Sequence, residues 1–254
     1  ADGYCRGEAI CGMTLRAKTA TSHYQLPLLG SCVRQDGKSA SLTAPNGVAQ
    51  QGLLEGALSD ASTRAGELKC IEAHGTGTAL GDPIEVRSLA AIVLAASDPE
   101  SPLALGSVKA NSGHAEPAAG AAGLFRLAMG LSFDTAPPNA QFRSINPHVG
   151  SALSKVSCAL PTQVGLLPRS RSLDQPIGGV SSFGYSGTIV HTVVGMAQFA
   201  PPFELEPLVA LQYDRRSYTW REAPHPLAQE RSSAEEDTFH TPAAGALLAL
   251  VADH

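Results

Sequence analysis

Leu68-Lys-Cys-Ile-Glu-Ala-His-Gly-Thr-Gly-Thr-Ala-Leu-Gly-Asp-Pro-Ile-Glu85 changes character twice in one short span. Leu68 to Ala73 is a compact apolar-rich run of strand length, and His74 to Thr78 alternates glycines with hydroxyls. From Pro83 to Ala95 apolar residues recur at helical spacing behind a proline that suits a first helical position. The same order returns in a strand expected over Leu103 to Val108, the turn Asn111-Ser-Gly-His114 and a helix from about Glu116 to Leu131. Alternating strand, glycine turn and helix predict a layered α/β fold.

Working outward, Glu8 to Leu15 has an imperfect apolar pattern in Ile10, Met13 and Leu15 and is expected to be a strand. Pro45 to Ala61 is expected to be a helix through Val48, Leu53, Leu54, Ala57 and Leu58. Thr135 to Pro147, with its Pro-Pro and Asn-Pro steps, predicts an extended loop, and Val156 to Leu160 a short strand. Ile177 to Ser181 and Thr188 to Val194 are β-rich runs joined by Phe183-Gly-Tyr-Ser-Gly187, a hairpin pattern. From Phe199 the composition shifts to paired prolines and then a charged run from Glu230 to Asp237, which predicts a linker into a separate element.

The 254 residues are 43% hydrophobic, enough for a buried core, and only 16% charged, below the usual quarter or so. With 18 basic against 23 acidic side chains the formal charge is −5, which disfavours nucleic acid or an anionic membrane as main partner. Five scattered cysteines, with no C-x-x-C pair and no zinc-ligand spacing, predict a reducing compartment and no structural metal. No apolar run suits a bilayer span and no basic-then-apolar leader opens the chain, so a cytoplasmic or organellar location is expected. The chain begins Ala-Asp-Gly-Tyr without methionine, which suggests a piece of something longer.

Three glycine turns carry the chemistry. Glycines admit close approach of a ligand, and Thr76 and Thr78 at alternating positions can face one side of an extended loop to bind a polar chain. His114 precedes a predicted helix, whose positive end disfavours imidazolium and leaves a neutral ring able to donate to an oxyanion. Asp82 and Glu85 fall at a helix start, where a helix-cap role is expected. Cys70 falls in a strand expected to be buried, so packing is the better reading for it. Gly37-Lys-Ser39 fails the phosphate-loop pattern because Cys32 stands where glycine is needed. Gly184-Tyr-Ser-Gly-Thr188 is one glycine short of a hydrolase elbow and lies in a hairpin.

In their contexts these segments resemble the β-ketoacyl synthase (ketosynthase) family, nearest to the ketosynthases of modular polyketide synthases. The resemblance rests on Ala1-Asp-Gly-Tyr-Cys-Arg-Gly-Glu8, Leu42-Thr-Ala-Pro-Asn-Gly47, Glu72 to Glu85, Gly106-Ser-Val-Lys-Ala-Asn-Ser-Gly-His114 and Gly179-Val-Ser-Ser-Phe-Gly-Tyr-Ser-Gly-Thr188, in that order, over residues 1–196. It implies a thiolase-like layered α/β fold, of which this chain holds the C-terminal part, without the N-terminal part that bears the nucleophile. It also implies decarboxylative Claisen condensation of a malonyl-type extender with an acyl thioester. By motif position His74 and His114 are the two catalytic histidines and Lys109 the supporting lysine. Tyr185 offers a backbone oxyanion N–H, and Thr76, Thr78, Phe183 and Gly184 contact substrate. No tightly bound cofactor is implied; the phosphopantetheine arm of an acyl carrier protein brings the substrate. The implied partners are that carrier protein and a second copy of the ketosynthase.

Two departures matter. No cysteine stands in a Thr-Ala-Cys-type turn, so the chain as given cannot form the acyl-enzyme, and Ile189 replaces the family's usual asparagine, which removes polar bonding near the oxyanion turn. Residues 197–223, with Tyr213-Asp-Arg-Arg-Ser-Tyr-Thr-Trp220, resemble a post-acyltransferase linker. Residues 224–254, ending in Asp253-His254, resemble the start of a dehydratase domain; an apolar helix from Ala243 to Val251 is the plainer reading. No acyltransferase fits between, an arrangement similar to multienzymes served by a separate acyltransferase, though a deletion gives the same result. A second reading of the whole is a degenerate, non-catalytic module that binds carrier protein or scaffolds a dimer.

Overall fold

The computed structural model describes residues 3–15, 17, 26–37, 44–140, 142–167, 176–196, 230–231 and 239–240. The chain divides into two units, Ala1–Glu204 and Leu205–His254. In chain order the first holds β1 (Leu28–Gln35), α1 (Gly47–Asp60), β2 (Leu68–Glu72), α2 (Gly81–Ile92), β3 (Leu103–Gly106), α3 (Lys109–Ser112), α4 (Ala119–Ser132), β4 (Thr135–Ala136), α5 (Pro147–Leu153), β5 (Cys158–Ala159), β6 (Gly165–Leu166), β7 (Ile177–Phe183) and β8 (Thr188–Gly195). The second holds β9 (Glu230–Arg231) and β10 (Phe239–His240), an antiparallel pair. The post-acyltransferase-like motif, the helix expected from Ala243 and His254 lie outside the described residues.

Six strands of the first unit form one sheet in the order β1-β8-β7-β2-β3-β5. β7, β2, β3 and β5 run parallel, β8 returns antiparallel from β7, and β1 pairs antiparallel with β8. Strand periodicity sends neighbouring residues to opposite faces, and each face has its own core. Leu103, Leu105 and Val193 join Leu54, Ala57 and Leu58 of α1 and Leu89 of α2, while Ala104 and Val194 join Leu127 and Leu131 of α4. A sheet covered on both faces by helices is the layered α/β arrangement expected.

α1 begins at Gly47, two residues after Pro45, because Asn46 caps it: Oδ1 accepts the N–H groups of Val48 and Ala49 at 3.1 and 3.2 Å. In β7 two glycines allow close approach. A Cβ on Gly178 would lie 2.7 Å from Leu127 Cδ1, and one on Gly179 would lie 2.5 Å from His191 Nε2. His191 is fully buried on β8, with Nδ1 2.9 Å from Ser181 Oγ, and burial pushes its ring down to about 4.

One sequence expectation is overturned, and two elements are found that the sequence did not announce. Glu8 to Leu15 forms no strand; Ile10 is wholly exposed and Leu15 largely so, and the ladder needs another segment to pair with. The edge strand is β1 instead, although only Gly30 of it is buried. Pro147, the end of the expected loop, opens α5, which the sequence reading did not foresee, with Asn146 Oδ1 accepting the His148 N–H at 2.9 Å.

Glu72, the last residue of β2, is buried and ion-paired to Arg126 of α4, itself nearly buried. One Glu72 oxygen accepts from the guanidinium and the other from the Val108 N–H. Burial lifts the carboxyl to about 7 against the pull of Arg126, yet both oxygens face donors, which fits the ionised form. Arg126→Leu would leave this carboxylate buried without its partner and is expected to destabilise the first unit by about 3–5 kcal/mol, read as a lower urea midpoint. An unchanged midpoint would show that the pair carries no net stability.

Candidate functional site

The parallel strands β2, β3 and β7 end at the same edge of the sheet, and each leads into one of the three glycine turns. Ligands of open α/β sheets sit outside the carboxyl ends of the strands. Here the turns surround a cleft of about 1120 Å³ lined by His74, Thr76, Thr78, His114, Phe183, Gly184 and Tyr185. Lys109 faces an adjoining cavity of about 410 Å³, shared with His114 and Thr76. The sequence-predicted residues are thus brought together.

The His74 and His114 rings stand edge to face, centroids 5.6 Å apart at 85°. In both rings Nδ1 accepts a main-chain N–H: Phe183 donates to His74 at 3.2 Å and Glu116 to His114 at 2.9 Å. An Nδ1 that accepts is unprotonated, so a neutral ring carries its proton on Nε2. Burial, then Lys109 and His114, push His74 down to about 3. Burial and Lys109 also lower His114, with Glu116 opposing. The His114 ring is thus pushed toward its neutral form by burial and a nearby ammonium, where the sequence reading looked to a helix dipole.

Lys109 is lowered by burial and raised by Glu72, Glu85 and Asp82. Those carboxylates have a role the sequence reading missed. Glu85 Oε1 accepts the His74 N–H at 2.7 Å and Oε2 the Gly75 N–H at 2.9 Å, while Asp82 Oδ1 accepts the Gly77 N–H at 3.0 Å. They brace the glycine turn instead of capping α2, whose N-cap residue Leu80 makes no side-chain cap bond. Burial raises both carboxyls, Glu85 to about 7. Thr76 and Thr78 share a side, their hydroxyls 3.3 Å apart, and Thr78 Oγ1 accepts the Gly81 N–H at 3.1 Å.

Tyr4 also escaped the sequence reading. Its ring lies 4.8 Å from that of His114 and its hydroxyl 3.2 Å from Glu116 Oε1. Residues 5–7 run along His114, which donates its N–H to Cys5 C=O at 2.7 Å and accepts from Gly7 N–H at 3.0 Å. No local pattern signals such a contact. Among the described residues no thiol is bonded to either imidazole; Cys70 and Cys158 are pushed up to about 12 by burial. No group of histidine, cysteine and carboxylates suited to a metal occurs among the described residues.

Residues 27–143 match the family described as "Beta-ketoacyl synthase, C-terminal domain". This stretch belongs to the β-ketoacyl synthase family. It is 39% identical to erythronolide synthase EryA3 of Saccharopolyspora erythraea, over 94% of this chain and 8% of that protein. It is 41% identical to the spectinabilin polyketide synthase system protein NorA' of Streptomyces orinoci, over 82% of this chain and 6% of that one. The chain therefore spans less than a tenth of these relatives. Among solved structures, the ketosynthase from module 6 of the bacillaene synthase of Bacillus subtilis 168 superposes with a TM-score of 0.60 at 31% identity, covering 67% of this chain and 30% of that one. The oxazolomycin ketosynthase domain OzmH KS7 of Streptomyces albus JA3453 gives 0.61 at 28% identity, over 69% and 30%. The fold is thus the thiolase-like one of polyketide synthase ketosynthases. No helix among the described residues is long and apolar enough to cross a membrane.

The tautomers can be read directly. In folded chain labelled with ¹⁵N at histidine, both site rings are expected to show a bare Nδ1 and a protonated Nε2, and His74 to stay neutral from about pH 8 to about pH 5. A midpoint near 6.5 for His74 would remove burial as its controlling influence. The sign for stability follows. The unfolded ring takes its proton near 6.5 and the folded one only near 3. Acid therefore favours the unfolded chain, and the contribution of His74 declines as pH falls from about 6.5 toward 3.

Proposed function

We propose that residues 1–196 serve a polyketide synthase ketosynthase that joins a malonyl-type extender to an acyl thioester by decarboxylative Claisen condensation. The observation that carries this reading is the pair of imidazoles whose Nδ1 atoms are both occupied by main-chain N–H groups. Two fixed Nε2–H donors at the edge of one cleft suit an oxygen that gains negative charge. The malonyl thioester loses its carboxylate as CO₂, and the electron pair of that C–C bond passes into the thioester as an enolate. His74 and His114 donate to the enolate oxygen from Nε2, and burial together with the adjacent Lys109 favours the neutral rings.

The enolate carbon then attacks the carbonyl of an acyl chain held on a cysteine that the described residues do not supply. A C–C bond forms, the thiolate leaves, and the Tyr185 N–H serves the transient oxyanion. Thr76 and Thr78 hold the phosphopantetheine arm of the acyl carrier protein, with Phe183 and Gly184 beside it. Carrier protein, a second copy of the ketosynthase and a separately supplied acyltransferase are the partners, and no tightly bound cofactor is needed. Residues 197–223 serve as a post-acyltransferase-like linker and 224–254 open a dehydratase domain.

Measured in the whole synthase, His74→Ala and His114→Ala are each expected to slow decarboxylation of a malonyl carrier by about 10²–10³-fold. Thr78→Val is expected to raise KM for the carrier with a smaller change in kcat, because it removes a contact made before the reaction as well as during it. Decarboxylation retained within a few-fold in both histidine variants would leave the scaffold reading in its place.

A further inference from the structure

The turn between β7 and β8 is held by more than its own hairpin. Gly187 N–H donates to Gly184 C=O at 3.0 Å and Gly184 N–H to Thr188 C=O at 2.7 Å, which closes the turn locally. The edge strand adds an outer grip. Gln35 Nε2 donates to Ser186 C=O at 2.8 Å, Gln35 Oε1 accepts from Thr188 Oγ1 at 3.3 Å, and Asp36 N–H donates to Gly187 C=O at 2.8 Å. Asp36 is tied in turn to the cap of α1, since its C=O accepts from Asn46 Nδ2 at 2.7 Å. Ile189 is fully buried and brings no polar group to the turn.

Peptide geometry joins these bonds into a relay. Ser186 C=O and Gly187 N–H belong to one planar peptide unit, and so do Gly184 C=O and Tyr185 N–H. Gln35 therefore grips the oxygen of the first unit, whose N–H grips the oxygen of the second. The N–H of the second unit is that of Tyr185, which points opposite to its own carbonyl and donates to no described residue. Each bond in such a series fixes the plane of the next unit and polarises it in the same sense.

We infer that Gln35 is a positioning residue for the Tyr185 N–H, acting through two consecutive peptide units of the β7–β8 turn. This rests on the reading of that N–H as the oxyanion donor given above. The side chain lies on the lining of the same cleft, and the role inferred for it is to set the direction and donor strength of the Tyr185 N–H. Gly187, at φ +89°, fits the same device, since a Cβ there would lie 2.7 Å from Gln35 Nε2 and displace it.

The test compares Gln35→Glu and Gln35→Met in the whole synthase. Both keep the length of the side chain and lose the donor to Ser186, and the position is exposed, so folding is expected to survive. Two rates are followed, acyl transfer from carrier to the synthase's own thiol and decarboxylation of malonyl carrier, with KM for each carrier. The ratio of acyl transfer to decarboxylation is expected to fall about tenfold or more, as a displaced oxyanion donor requires, with KM for acyl carrier little changed. Hydrogen exchange is expected to rise in the peptide spanning 183–188 while β7 and β8 stay protected. An unchanged ratio, or both rates falling together, overturns the inference, and so does unchanged exchange. If the unaltered synthase decarboxylates nothing, the proposed function fails instead, and exchange alone then decides whether Gln35 holds the turn.

Discussion

The carboxylate of Glu85, closed off from water, accepts the amide hydrogens of both His74 and Gly75. The first glycine turn depends on it. Gly75 adopts φ +46°, and its peptide cannot join the β2 ladder, so its N–H needs another acceptor or stays costly to bury. A carboxylate on the first turns of α2 meets that need twice over, and the ring of His74 is thereby set before any substrate arrives. Glu72 does the same for the second turn by accepting from Val108, one residue before Lys109. Two buried acids therefore tie the first two turns to a helix on either face of the sheet.

Burial of those acids also explains the electrostatics. Each carboxyl is raised toward about 7 by loss of water and held down by N–H donors, and each pulls Lys109 upward. The lysine in turn depresses both imidazoles. The cluster sets Lys109 among three carboxylates, beside two rings that burial and the lysine push toward the neutral form. Preorganised donors in a dry site act strongly because no solvent has to reorient around them.

Much of this was legible beforehand. The strand-turn-helix units around His74 and His114 announce themselves by apolar runs broken by glycine, and the hairpin after Ile177 by its β-branched strands. What escaped had physical reasons to escape. β1 carries almost no buried side chain, because an edge strand is held through its ladder to β8 and needs no apolar stripe. Glu8 to Leu15 has the apolar residues but no ladder to join. Asp82 and Glu85 sit where helix caps usually sit, and only the path of the preceding turn shows that their acceptors point back toward it. Tyr4, Gln35 and Asp36 reach the site across more than a hundred residues of chain, a distance no local pattern encodes.

That last feature bears on the order of folding. Gln35 and Ser186 lie 151 residues apart in sequence, and β1 is joined to the sheet through β8 alone. Closing so long a loop comes late, because its entropy must be met before its contacts reward it. The helices and inner strands can assemble through nearer contacts, whereas the β7–β8 turn acquires its final set only when the edge strand docks. Residues of β1 also pack on the core and line the cleft, so the same late step that sets the turn completes both.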